Sequence, residues 1–84
     1  MTLTIDYQAP IRWESVSRYY VALIQRNLFD ELVLSRYWGG KWSRVGGERH
    51  EVIDSMDDGL TLIQKYDKER TKRGYKRVAS LSAQ

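Results

Sequence analysis

Apolar and polar positions along this chain repeat with two different periods. Near the start, Leu3, Ile5 and Tyr7 alternate with Thr4 and Asp6, which predicts a short strand. Pro10 offers no ladder donor, so it interrupts that strand or places it at an edge. Ile11-Arg12-Trp13-Glu14 predicts a second short strand, and Ser15-Val16-Ser17 a turn. Arg18 to Gln25 is rich in strand formers: Tyr19, Tyr20, Val21, Leu23 and Ile24. Asn27 and Asp30 supply turn chemistry after it. Then Leu32, Leu34, Arg36 and Trp38 face one way, and Val33, Ser35 and Tyr37 the other. Together these predict a hairpin of two long strands, ended by Gly39-Gly40. A second pair, Gly46-Gly47, follows, with Lys41-Trp42-Ser43-Arg44-Val45 between the pairs as a short loop or strand. Arg49 to Ile53 predicts a further strand, with His50, Val52 and Asp54 on one face.

The period changes at Ser55. Ser55-Met56-Asp57-Asp58 fits a capping box with aspartate in place of the usual glutamate. Met56, Leu60 and Ile63 then recur at helical spacing, widened by Leu62 and Tyr66. Acidic Asp57 and Asp58 suit the helix start, Arg70, Lys72 and Arg73 suit its end, and Gly74 suits the C′ position. The helix is predicted over about Met56 to Arg73, with Tyr75-Lys76-Arg77-Val78 returning to the sheet edge. One helix with one apolar stripe cannot bury itself, and a sheet with alternating faces needs a cover. The predicted class is α+β: an antiparallel sheet of four to five strands with one main helix across one face.

At 84 residues the chain is a single domain, 1–84, with a fraying tail over 79–84. It has no cysteine, which excludes a disulfide framework, a thiolate zinc site and a cysteine nucleophile. Its longest apolar run, Tyr19 to Ile24, is far short of the ~20 residues that span a bilayer, so no membrane partner is expected. The first residues lack the pattern of a signal peptide, and a cytoplasmic location is expected.

The net charge of +3 is unevenly distributed. Residues 1–64 hold seven Lys/Arg against nine Asp/Glu, and residues 65–84 hold seven against two. Such a cationic block suits a polyanion, and it also suits a solvated helix end. Phosphates would be neutralised by Arg36, Lys41, Arg44 and Arg49 around the glycine pairs, and by Lys72, Arg73, Lys76 and Arg77 at the helix exit. Trp38 and Trp42 flank Gly39 and Gly40, a combination of aromatic face and approachable backbone that fits sugars, bases and anions. Trp38 reads either as that platform or as a core aromatic on a strand. Trp42 reads as exposed, and Trp13, Tyr19 and Tyr20 as packing residues.

Several of these features, in order, resemble the WGR domain. They are Arg18-Tyr19-Tyr20, the turn near Leu28-Phe29, Leu34-Ser35-Arg36-Tyr37-Trp38-Gly39, Gly46, Ser55-Met56-Asp57-Asp58-Gly59, and Lys68-Glu69-Arg70-Thr71-Lys72-Arg73-Gly74-Tyr75. The resemblance covers about residues 18–78. It departs at the signature, where Trp38-Gly39-Gly40 lacks the arginine of Trp-Gly-Arg. A second register, Trp42-Ser43-Arg44-Val45-Gly46, lacks the glycine instead. The first keeps the better spacing to Arg18 and Ser55, with Lys41 or Arg44 as the substitute cation. The resemblance implies an antiparallel sheet packed on a helix, and nucleic-acid or partner binding rather than catalysis. In poly(ADP-ribose) polymerases this module helps hold a DNA end, with the signature tryptophan near the terminal sugar. Short free-standing bacterial proteins look similar.

Catalytic readings are poorer. Asp57-Asp58 is explained by capping and Asp30-Glu31 by a turn. His50 with Glu48 or Glu51 falls short of the four ligands of a structural zinc site. Gly-Lys-Ser/Thr is absent. The expectation is therefore no enzyme, no metal and no cofactor. The leading function is a small nucleic-acid-binding module, for DNA phosphates or ends, of low sequence specificity. The alternative is a protein-interaction or homodimerisation module, suggested by the tyrosines and tryptophans.

Overall fold

A computed structural model describes residues 8–78. The element order is β1 (Gln8–Glu14), β2 (Arg18–Arg26), β3 (Leu32–Gly40), β4 (Gly46–Val52), α1 (Met56–Lys72) and β5 (Lys76–Val78). All strand pairs are antiparallel, in the order β4-β3-β2-β1-β5. The helix packs across one face of this sheet, so the α+β class stands. The strand predicted over Leu3–Tyr7 and the tail 79–84 lie outside the described residues.

Strand alternation decides which face is covered. Ile11 and Trp13 of β1, Tyr20, Ala22 and Ile24 of β2, and Leu32 and Leu34 of β3 form the core with Ile53, Ile63 and Tyr66. Gly59 brings α1 close, since a Cβ there would lie 2.5 Å from Ile53 Cδ1 and 2.6 Å from Ile24 Cδ1. Ser55 caps the helix by accepting from the Asp58 amide at 3.1 Å. Trp13 is wholly buried, and its indole N–H donates to Asp67 Oδ1 at 2.8 Å, fixing α1 to β1.

Two details correct the sequence reading, and one bears it out. Pro10 lies inside β1, at a register shift between Gln8 and Ile11, where a bulge absorbs its missing donor. Gly39-Gly40 ends β3 as expected, as its last two paired residues, opposite Tyr19 and Arg18. Gly46-Gly47 belongs to β4, which therefore starts three residues before Arg49.

The β2–β3 turn is built by Asn27, whose Oδ1 accepts from the amides of Phe29 and Glu31. Asp30 there takes a positive φ of 64°, a conformation that Asp tolerates better than most residues. At the other end, the Lys41 amide donates to the Ser17 carbonyl at 2.8 Å, which ties the β3–β4 loop to the β1–β2 turn.

Asp67→Ala should leave the buried Trp13 N–H unpaired and cost about 1–3 kcal/mol in urea unfolding. A loss below about 0.5 kcal/mol, the range of ordinary surface changes, would show that this bond does not hold the helix.

Candidate nucleic-acid interface

The sheet face under α1 continues beyond the helix end. There Tyr20 pairs across the sheet with Trp38, and Trp38 with Gly47. The Tyr20 and Trp38 rings stack at 6.2 Å with 18° between their planes. Gly47 makes room for this, since a Cβ there would stand 2.7 Å from Trp38 Cζ2. The indole thus lies flat across three strands.

The last turn of α1 closes the site. Arg73 is the C-cap and Gly74 adopts φ +89°. The Tyr75 amide donates to Arg70 O at 2.9 Å and the Gly74 amide to Thr71 O at 3.1 Å, the two bonds of a Schellman motif. That motif brings Arg70 and Tyr75 together. The Arg70 guanidinium lies 4.5 Å from the Tyr20 ring centre and 5.2 Å from that of Tyr75. Arg36 lies 4.9 Å from the Tyr66 ring centre, and its Nη1 donates to Tyr20 OH at 3.3 Å.

These groups surround a cleft of about 340 Å³ lined by Arg18, Tyr20, Arg36, Trp38, Gly39, Arg70, Arg73 and Tyr75. Four of the eight are arginines and none is acidic. Among the described residues, Arg18, Arg70 and Arg73 have no carboxylate partner, and Arg36 reaches only Glu51 at 3.8 Å. The Nε–H groups of Arg36 and Arg70 are buried with no acceptor. Burial opposes the Arg36 charge, but the Tyr20 hydroxyl, Tyr66 and Glu51 outweigh it and hold its pKa above the ordinary value. Burial pushes the Tyr66 phenol up, with Glu51 adding to the effect and Arg36 opposing it. Chemically, the cleft is a positive, aromatic-walled hollow suited to an oxyanion.

No protein-family model, curated protein or solved structure matches this chain.

The residues singled out in the sequence fall into separate places. Arg36, Trp38, Gly39 and Arg73 line the cleft. Trp42 stands in the β3–β4 loop, 79% exposed, and lines an adjoining groove. Arg44 is exposed in the same loop. Arg49 is exposed on β4 opposite Arg36. Lys41 instead reaches Glu14 at 3.0 Å and, with Lys76, lines a different hollow. Arg12 and Lys41 together hold the Glu14 carboxyl below the usual range. Lys72 is exposed at the helix end, and Arg77 is exposed on β5 opposite Trp13. Arg18, Arg70, Tyr20 and Tyr75 were not among the predicted site residues, although they line the cleft. The signal for Arg70 was its spacing: Ile63, Tyr66, Arg70 and Arg73 continue one helix face.

On the opposite sheet face, Ser35 Oγ lies 2.7 Å from His50 Nδ1, and His50 Nε2 lies 2.8 Å from Glu48 Oε2. Ser35 is buried at the sheet centre, between strands β2 and β4 that take up the β3 amides. Those amides point along the sheet, away from any oxyanion position above the hydroxyl. The Ser35–His50 contact joins β3 to β4 on this face, and Glu48 extends it along β4.

Gly47→Ala should displace the Trp38 indole, costing about 1–3 kcal/mol in urea unfolding and changing the near-UV circular dichroism. An unchanged spectrum and stability would show that the indole does not rest on Gly47.

Proposed function

We propose that this protein is a small nucleic-acid-binding module that grips DNA phosphates, or a strand end, with little sequence specificity. The observation that carries the reading is the cleft of Arg18, Arg36, Arg70 and Arg73, with no acidic residue in its lining. Guanidinium groups form paired, charge-assisted bonds with phosphate oxygens. Trp38 and Tyr75 offer aromatic surface to the attached sugar. The resemblance to the WGR domain supports the same reading. In its first register the signature tryptophan is the cleft residue Trp38, beside which Arg18, Arg36 and Arg70 supply cations, while Lys41 reaches Glu14.

A second reading is protein interaction or homodimerisation. It is favoured by the sheet face opposite α1, where Val21, Leu23, Val33 and Tyr37 are half-buried and Val52 is 58% exposed. No described element packs there.

Salt titration separates the two. If three to five phosphates are neutralised, log K should fall against log[salt] with a slope of roughly −2.7 to −4.5 on duplex DNA. The double variant Arg18→Gln/Arg73→Gln changes two exposed side chains and should flatten that slope by roughly 2. Absence of DNA binding at low salt, with a solution mass above the monomer, would favour the second reading instead.

A further inference from the structure

The groove beside the arginine cleft extends beyond the phosphate grip. Trp42, Val45, Gly40 and Gly46 line it, and Arg18, Trp38 and Gly39 form a wall common to both hollows. Its volume is about 470 Å³, and away from the common wall no charged residue lines it. Trp42 and Val45 are about four-fifths exposed, at 79% and 80%. The loop holds them out: the Ser43 amide returns to Gly40 O, so Lys41 and Trp42 occupy the corner of a turn. Ser43 Oγ accepts from the Val45 amide at 3.0 Å and fixes the return.

We infer that this groove takes an unpaired nucleobase from the strand whose phosphate occupies the cleft. The inference rests on the phosphate-binding reading and narrows it to a substrate class: DNA with a single-stranded end, in preference to blunt duplex. A nucleotide joins an anion and a neutral planar ring through one sugar. Here a hollow lined by four arginines and an indole-sided one, uncharged beyond Arg18, share a wall. The glycines remove side chains from the lining, so a flat ring can approach the backbone. A base inside a duplex has both faces stacked and cannot enter. An unpaired base has a free face for the indole. An apolar peptide side chain would fill the groove equally well, but it would leave the four adjoining guanidinium groups without a counter-charge.

The test uses the full chain and a labelled DNA in three forms: blunt duplex, the same duplex with a short overhang, and the single strand. Wild type should bind the overhang and the single strand at least about tenfold more tightly than the blunt duplex. Trp42→Ala should abolish that preference, weakening overhang and single-strand binding to about the blunt-duplex level. Trp42→Phe should keep most of it. Trp42 packs on no core residue, and an unaltered thermal melt of the variant would show that the fold is intact. Equal affinity of wild type for blunt and overhanging DNA, or a Trp42→Ala variant that keeps the preference, overturns the inference and leaves the phosphate grip standing. Failure of wild type to bind any of the three DNAs removes both.

Discussion

Arg70 packs its guanidinium over Tyr20 on the sheet and against Tyr75 beyond the helix, and much else follows from that contact. A cation over an aromatic face contributes about 0.5–2 kcal/mol, more as it is desolvated. The backbone reinforces it, because the carbonyl of the same Arg70 accepts from the Tyr75 amide. Side chain and main chain therefore fix the same point. The chain leaves α1 through Gly74 and enters β5, whose three residues pair with β1. Arg73, next in line, is delivered to the cleft.

Four arginines around one hollow repel one another, and the fold tolerates them through their neighbours. Arg70 is covered by two rings, and Arg36 by Tyr66, the Tyr20 hydroxyl and a distant Glu51. Aromatic faces and a phenol stabilise cations without neutralising them, so the field of the cleft remains available to an anion. A ligand that binds only the folded state would also stabilise it. Trp38 completes the wall because Gly47 lets its indole lie down on β4.

The sheet and the helix were readable because their periods were clean. Leu32, Leu34, Arg36 and Trp38 do share a face, and Ser55 and Gly74 do mark the helix ends. Pro10 and Gly46-Gly47 misled at the boundaries, because a bulge and close cross-strand packing accept residues that usually break strands. The site was less legible. Cationic density pointed to the helix exit as a whole, but the curl of the chain after Gly74 sends Lys76 towards Lys41 and Glu14, on another surface from Arg73. Arg18 meets Arg70 only through pairing across β2 and β3 and docking of α1, which no local pattern encodes.

The most direct test is to follow arginine Nε–Hε resonances by NMR while a short DNA strand is added. The account predicts that the signals of Arg18, Arg36, Arg70 and Arg73 shift together and saturate with one affinity. Shifts confined to the amides of Lys72, Lys76 and Arg77, with the four arginine signals unmoved, would contradict it.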